Sequence, residues 1–333
     1  KFPKALGKFW GDQFVKDGFV ALMGPEKIGK TFLLMEIAMK AIQSGSNVVF
    51  FQAGDMTELQ QIKRLGVYLA KKSDKEKYCK GMWIPVLDCF KNQTNDCSSD
   101  DRECLENPLQ ELKSRKDLTL EMMIEAHKNP ENQDYKPCHN CHDIKGSPWI
   151  RWEPEEPVLT WTEAYKKMKQ WEKQYPNKLK LSTHPNETLS ISQMRSLLDT
   201  WEKAEEFTPS VIIVDYADIL DSDPDCKKLD WRNQVNKIWQ RLRSLSQERH
   251  CLLVTATQSD AKSYDKDILS KSNFSEDKRK FSHVTAMYGL NQNDKQKKIG
   301  ILRVNELVVR EDDFTTTNQI WLLQRLQKGR PVL

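Results

Sequence analysis

The sequence predicts an α/β fold built on a parallel, twisted sheet flanked by helices. An apolar run at 18–23 leads through a glycine-containing turn directly into a segment with helical periodicity. A second apolar run at 47–52 follows that segment, which gives the β–α–β order of a parallel sheet. Three more strand-like runs, at 210–214, 251–255 and 283–288, extend the same sheet.

Apolar residues at helical spacing, together with capping residues, predict the helices of this fold. Thr57 and Ser190 each stand just before a periodic segment, where a hydroxyl can cap free backbone N–H groups. The predicted helices cover about 31–41, 57–71, 160–174, 190–201 and 231–249. We expect a short strand at 178–181 and, from the runs 300–309 and 319–326, an antiparallel hairpin at the edge of the sheet.

Composition limits the classes of protein to which this chain can belong. Its 333 residues suffice for one large domain or two smaller ones. The 52 basic and 48 acidic residues leave a formal net charge of +4, so any nucleic-acid contact has to use a local basic patch. No apolar run approaches the roughly 18 residues of a membrane-spanning helix, and no signal peptide precedes the first strand. We therefore expect an intracellular, cytoplasmic protein without a membrane partner.

The pattern of strands and helices is interrupted between about residues 79 and 160. This stretch is rich in Cys, Asn, Asp, Pro and Trp and shows little sustained periodicity. We interpret 79–160 as an inserted segment, and 1–78 together with 161–333 as one discontinuous core domain.

A phosphate-binding loop is predicted between the first strand and the first helix. The residues from 24 to 31 match the pattern Gly-x-x-x-x-Gly-Lys-Thr in full. In such a loop backbone N–H groups surround a β-phosphate, Lys30 reaches the β- and γ-phosphate oxygens, and the Thr31 hydroxyl binds Mg²⁺. The predicted nucleotide-binding residues are Gly24, Pro25, Glu26, Lys27, Ile28, Gly29, Lys30 and Thr31.

A carboxylate that supports the metal is predicted at the end of the strand at 210–214. Four apolar residues, Val-Ile-Ile-Val, lead into Asp215. An Asp at the carboxyl end of a parallel strand lies at the same sheet edge as the phosphate-binding loop, where it can hold a water ligand of Mg²⁺. Asp215 and Thr31 are therefore the predicted magnesium residues, and ATP with Mg²⁺ the predicted cofactor pair.

The order and spacing of these motifs resemble the RecA-like ATPase core, in particular the motor domain of replicative DnaB-type hexameric helicases and their single-domain phage relatives. Residues 50–57 are similar to the family's strand-2 motif, and 214–220 to its Walker B run. Residues 254–259 look like the strand whose last Gln senses the γ-phosphate. Residues 300–312 look like the hairpin that carries an arginine finger.

This resemblance implies a set of catalytic residues. Asp55 would activate the attacking water, while Lys30 and Asp215 would hold the phosphates and the metal. Gln258 would relay the state of the γ-phosphate. Arg310 would complete the site of a neighbouring subunit. The resemblance thus implies a homo-oligomeric ring or filament that hydrolyses ATP at its interfaces and acts on DNA, with single-stranded DNA as the expected partner.

Two positions depart from the family pattern. Asp55 stands where the helicases usually carry Glu, and its side chain is one methylene shorter, so Glu58 is kept as the alternative base. Val308 stands where a basic residue often accompanies the finger. We therefore expect slow or partner-dependent hydrolysis. A second hypothesis stays open, in which ATP gates the assembly of a regulatory scaffold without translocation.

A zinc site is predicted within the inserted segment. Cys138 and Cys141 form a Cys-x-x-Cys knuckle, and Cys89 and Cys97 supply upstream thiols. Thiolates are soft ligands, and four of them close the tetrahedral shell of a structural Zn²⁺ ion. The predicted ligands are Cys89, Cys97, Cys138 and Cys141, with Cys104, His139 or His142 as substitutes. A protein partner would bind through this zinc segment.

The loops that follow the Walker B strand and the Gln strand are the predicted DNA-facing surface, because the matching loops face the central channel in the family. The second loop ends in Lys278, Arg279 and Lys280, the best candidates for phosphate contacts. Lys227 and Lys228 in the first loop come next. A solvated, flexible loop is the alternative interpretation of the same charges.

Overall fold

The computed structural model describes residues 2, 4–54, 56–103, 109, 112–132, 134–141, 144–260, 268–270, 278–310 and 313–333. Eight strands in these residues form one sheet, and two more form a separate antiparallel pair. The strands are β1 (Phe19–Gly24), β2 (Val48–Gly54), β3 (Met82–Cys89), β4 (Gly146–Glu153), β5 (Leu179–Pro185), β6 (Val211–Asp215), β7 (Leu252–Gln258), β8 (Ala286–Asn291), β9 (Ile301–Val309) and β10 (Gln319–Leu323).

The large sheet has the strand order β10-β9-β8-β1-β7-β6-β2-β5. The six strands from β8 to β5 run parallel to one another, whereas β9 and β10 add an antiparallel edge. The predicted parallel sheet and edge hairpin are thereby confirmed. β1 and β8 are buried along their whole length, as expected of strands covered on both faces, which read as continuous apolar runs.

Nine α-helices lie in the described residues: α1 (Lys4–Trp10), α2 (Lys30–Gln43), α3 (Glu58–Ala70), α4 (Phe90–Gln93), α5 (Leu120–Lys128), α6 (Trp161–Gln174), α7 (Ile191–Glu205), α8 (Trp231–Glu248) and α9 (Asp294–Ile299). Thr57 and Ser190 cap α3 and α7 as predicted, each within a reciprocal capping box with a Gln three residues later. Within the described ranges, no helix is both long and apolar enough to cross a membrane.

Two apolar cores lie on the two faces of the large sheet. On one face α2 contributes Leu34 and Ile37. On the other face α8 contributes Trp239 and Leu242, all four side chains being buried. Burying one such side chain stabilises the fold by roughly 1.5–3 kcal/mol. Because β1, β7 and β6 are neighbouring parallel strands, their carboxyl ends meet at one edge of the sheet between these cores.

The segment 79–160 contains more regular structure than the sequence predicted. β3 and β4 pair from Met82 opposite Glu153 to Cys89 opposite Gly146. Met123 and Trp149 of this segment belong to an apolar core that also includes Ile301 of β9. Pro85 and Pro148 interrupt the two strand sequences, and proline weakens a strand signal. Where the core ends and an insertion begins remains a prediction.

Candidate functional site

The predicted phosphate-binding loop connects β1 to α2 at the carboxyl edge of the sheet. Lys30 begins α2, and its Nζ donates hydrogen bonds to the carbonyl oxygens of Gly24 and Pro25, both at 2.8 Å. The ammonium group therefore lies inside the loop. The start of α2 also directs free backbone N–H groups and the positive end of the helix dipole to this point, an arrangement suited to phosphate.

The two glycines of the loop occupy positions where a side chain would be crowded and, at Gly29, strained. Gly29 has φ +100°, in the left-handed region, and a Cβ there would lie 2.8 Å from Leu326 Cδ1. A Cβ on Gly24 would lie 3.0 Å from Leu290 Cβ. The backbone of the loop is thus held close to its neighbours, and the cradle fits a bound phosphate group.

Asp215 ends β6 at the same edge. It is buried, and its backbone carbonyl accepts a hydrogen bond from Gln52 Nε2 at 3.1 Å, across the β2–β6 register. A buried carboxylate together with the Thr31 hydroxyl at the start of α2 is a hard oxygen donor set, which fits Mg²⁺. The predicted roles of Asp215 and Thr31 are therefore compatible with their positions.

Gln258 ends β7, the strand between β1 and β6. Its Cα is in register with Gly24, and the next residue, Ser259, donates its backbone N–H to the Gly24 carbonyl at 3.2 Å. The Gln258 amide donates to the Tyr216 hydroxyl at 3.0 Å. Gln258 is therefore next to the loop strand and in contact with Tyr216, the residue after Asp215.

A buried polar cluster lies behind Gln258. Asp218 accepts hydrogen bonds from Trp239 Nε1 at 3.1 Å and from Lys280 Nζ at 2.7 Å, and its second oxygen accepts from the Thr257 hydroxyl at 2.6 Å. Lys280 also donates to Thr257 Oγ1 at 3.2 Å. The cluster ties together the turn after β6, the end of β7, and α8. Sequence reasoning missed Asp218, because no motif distinguishes it from a turn acid.

This cluster corrects the predicted DNA-binding role of Lys280. Its side chain is fully buried, and the ammonium is paired with Asp218, so it is not presented to a phosphate. Lys278 and Arg279, its two neighbours on the 3₁₀ helix Lys278–Ser282, are exposed. Arg279 contacts Asn233 of α8, with Nη1 at 2.9 Å from Oδ1. Two of the three predicted DNA-contacting residues therefore remain candidates.

Arg310 follows β9 and is exposed. Its guanidinium donates to the backbone carbonyl of Ser282, the last residue of the same 3₁₀ helix. Val308, at the position where the resemblance implied a basic residue, is buried in β9. Arg310 thus lies beside the carboxyl end of the 3₁₀ helix that also carries Lys278 and Arg279. Asp55, the predicted catalytic base, and the loop residues 261–267 and 271–277 lie outside the described residues.

A cleft of about 560 Å³ opens beside the phosphate-binding loop. Arg64 of α3 stands over the ring of Phe32, with 4.8 Å between the guanidinium carbon and the ring centroid. Burial lowers the pKa of Arg64, and the negative charge of Asp215 offsets part of that shift. The cleft is lined by Phe32, Gln60, Arg64, Val67, Tyr78 and Leu326, among others. Sequence reasoning missed Arg64, although Gln60 and Arg64 share one face of α3 by their i, i+4 spacing.

The predicted zinc site is not supported. Among the residues that the structure describes, no three His, Cys, Asp or Glu side chains come together in a way that could hold a metal ion. Cys89, Cys97, Cys138 and Cys141 are all described and all free, whereas Cys104 and His142 lie outside the described ranges.

Hydrogen bonds to one buried carboxylate organise this part of the segment. Asp88 accepts the backbone N–H groups of Cys89 and Cys138 at 2.7 and 2.8 Å, and the Tyr135 hydroxyl at 2.6 Å. Burial raises the pKa of Asp88, and these hydrogen bonds offset part of the shift. Asp88 therefore holds the backbone at Cys89 close to the backbone at Cys138.

Comparison with known proteins identifies the fold. No protein-family model and no curated protein sequence matches the chain. A solved structure described as an ATPase domain is similar with a TM-score of 0.59 and 12% identity, covering 95% of this chain and 85% of that one. A structure described as a DnaB-like replicative helicase and its interactions with primase gives a TM-score of 0.58 and 13% identity, covering 95% of this chain and 58% of the other. The predicted resemblance to the ATPase domains of DnaB-type helicases is confirmed at the level of the fold.

Proposed function

We propose that this protein binds ATP with Mg²⁺ at the loop between β1 and α2, and that it couples ATP hydrolysis to movement on single-stranded DNA. One observation carries the proposal. A complete phosphate-binding loop, with Lys30 inside it, lies at the same sheet edge as the buried Asp215 and the strand-end Gln258. These are the positions that a phosphoryl-transfer site needs for its phosphate, metal and sensor groups.

Each residue then has one task. Lys30 and the N–H groups at the start of α2 hold the phosphate oxygens, and Thr31 and Asp215 hold the metal. Mg²⁺, when bound, neutralises the charge that develops on the transferred phosphoryl group. Gln258 changes its hydrogen bond with Tyr216 according to the state of the γ-phosphate. Asp55 activates the attacking water, a role supported only by its place after β2.

A homo-oligomeric ring or filament is part of the proposal. The similar solved structures are an ATPase domain and a DnaB-like replicative helicase, and Arg310 is exposed at the end of β9, where a neighbouring subunit has access to it. Arg310 would stabilise the developing charge in that neighbour's site. Lys278 and Arg279 would contact the phosphates of DNA. The proposed location of the protein is the cytoplasm.

A second candidate function is a nucleotide-gated scaffold that does not translocate. The burial of Lys280 favours it, because the basic cluster that was expected to hold DNA keeps only Lys278 and Arg279 at the surface. A scaffold would use the nucleotide to control assembly. A motor should lose single-strand affinity steeply as salt rises, since each phosphate contact releases counterions, whereas a scaffold should show little affinity at any salt concentration.

Steady-state ATP hydrolysis, with and without single-stranded DNA, tests the proposal. The Lys30→Ala variant is the blank, and Lys40→Ala is a matched control, because Lys40 lies on the same helix and its ammonium makes a long 3.9 Å contact with Glu36. Strong stimulation by DNA that disappears in the Lys30→Ala variant is expected. Hydrolysis that ignores DNA would favour the scaffold, and hydrolysis that Lys30→Ala leaves intact would exclude the proposed site.

A further inference from the structure

The residues after β10 form a closed turn that contacts the phosphate-binding loop. We call residues 325–330 the C-terminal turn. Its ends are joined by two backbone hydrogen bonds between Arg325 and Arg330, at 2.6 and 3.0 Å. Between them, Leu326 directs its side chain at Gly29, with Cδ1 2.8 Å from where a Cβ on that glycine would be. The turn therefore fills the space next to the residue that precedes Lys30.

The same turn is anchored by a buried charge. Lys328 is 2% exposed, and its ammonium pairs with Glu153 and, at 2.7 Å, with Glu156. Arg330 lies 3.7 Å from Glu153. Burial alone would raise the pKa of Glu153, but Lys328 and Arg330 lower it further than burial raises it. Both carboxylates belong to β4 and the residues just after it, in the segment predicted to be an insertion.

The turn also fits closely on α3. Gly329 has φ +61°, and a Cβ there would lie 2.5 Å from Tyr68 Cα and 2.8 Å from the Val67 carbonyl oxygen. Lys71 Nζ donates to the Gly329 carbonyl at 3.2 Å. A backbone-to-backbone fit leaves no room for the turn to slide, so a group that holds the turn also fixes the place of Leu326. Lys328, which is 2% exposed, is one such group.

We propose that the C-terminal turn is a positioning element for the nucleotide site: Glu153 and Glu156 hold Lys328, and Lys328 thereby holds Leu326 against the phosphate-binding loop. Neither residue touches the reacting atoms. The contact restricts the backbone at Gly29 and keeps the start of α2 in a conformation ready for phosphate. The segment 146–156 thus influences the loop through an ion cluster. The effect on nucleotide affinity rests on the proposed ATP binding, whereas the effect on loop order does not.

Amide hydrogen exchange of the nucleotide-free protein tests the proposal directly. Lys328→Met removes the ammonium that pairs with the partly buried carboxylates of Glu153 and Glu156, and Leu326→Ala removes the contact with Gly29. Each variant should exchange the amides of residues 27–34 at least about tenfold faster than the wild type, which corresponds to about 1.4 kcal/mol of local opening. Lys298→Met is the matched control, because its partner Glu121 also lies in the segment 79–160 but both side chains are more than 60% exposed.

A double variant separates positioning from general loss of stability. If Lys328 acts on the loop through Leu326, adding Lys328→Met to Leu326→Ala should change exchange at 27–34 by less than about twofold, because the contact is already gone. Full additivity of the two effects would overturn the proposal. So would faster exchange confined to the C-terminal turn, or a Lys298→Met effect at 27–34 as large as that of Lys328→Met.

Binding of a non-hydrolysable ATP analogue with Mg²⁺ gives the second readout. The wild type should bind it, and Lys328→Met and Leu326→Ala should each bind about tenfold more weakly than Lys298→Met. Equal affinities would overturn the positioning role while leaving the proposed function intact. If the wild type does not bind the analogue, the proposed function fails, and hydrogen exchange alone decides the role of the turn.

Discussion

Replacing Lys280 tests whether this residue of the basic cluster 278–280 stabilises the fold or contacts DNA. In the Lys280→Met variant the aliphatic length is kept, but Asp218 loses an ammonium partner at 2.7 Å inside the core. Removing one partner of a buried ion pair costs about 3–5 kcal/mol. Asp218 keeps its hydrogen bonds from Trp239 and Thr257, so we expect the lower end, about 3 kcal/mol.

Urea unfolding followed by circular dichroism measures this cost, with Lys278→Met as the matched control. Lys278 is exposed on the same 3₁₀ helix, and a surface substitution of this kind changes stability by about 0.5 kcal/mol or less. Adding Asp218→Asn to Lys280→Met should recover part of the loss, because no buried charge is then left unpaired. If Lys280→Met is as stable as Lys278→Met but binds single-stranded DNA more weakly, Lys280 contacts DNA and the reasoning is refuted.

Three further predictions follow from the site and its surroundings. Gly29→Ala should abolish binding of the ATP analogue, because it combines left-handed backbone strain with a close contact to Leu326. Gly45→Ala has φ +90° and nothing within 4 Å of its Cβ, so it should show the strain alone and lower the free energy of unfolding in urea by about 1 kcal/mol. Equal effects of the two substitutions on analogue binding would contradict the account. Arg310→Ala and Lys30→Ala should each be nearly inactive as ATPases, but a mixture should regain activity if Arg310 completes a neighbour's site; a mixture no more active than its parts would exclude a role in trans. Burial lowers the pKa of Lys71 from 10.5 to about 8, so between pH 8 and 10.5 the unfolded chain binds a proton that the folded chain does not. The free energy of unfolding, relative to that of Lys71→Met, should therefore rise with pH across that window. Urea unfolding at pH 7 and pH 10 measures this difference, and a difference that stays constant or falls would contradict the prediction.

The parts of the fold that could be predicted are those in which sequence and structure are linked locally. Strands covered on both faces must be apolar throughout, so β1, β2, β6, β7 and β8 stand out in the sequence. The phosphate-binding loop has its required residues within eight positions. Asp215 follows from the rule that the ends of parallel strands share an edge.

The parts that could not be predicted depend on partners far away in the sequence. Lys278, Arg279 and Lys280 are alike as a string of charges, and a buried cluster around Asp218, 62 residues away, makes the last of them a core residue. Cysteine spacing predicted a zinc site, which the described residues do not support, whereas it gave no sign that Asp88 binds the backbone of both Cys89 and Cys138. These outcomes depend on tertiary contacts that no local pattern encodes.

The central claim is that the loop between β1 and α2 is a nucleotide-phosphate site in which Lys30 provides the main charge. Calorimetric titration of the non-hydrolysable ATP analogue with Mg²⁺ into the wild type and the Lys30→Ala variant tests it most directly. Losing the two charge-assisted hydrogen bonds that Lys30 would donate to the β- and γ-phosphate oxygens costs at least about 2.7 kcal/mol, or about 100-fold in affinity. We predict one analogue bound per wild-type chain and at least that loss in Lys30→Ala. Absence of binding to the wild type, or equal affinity in the two proteins, would contradict the account.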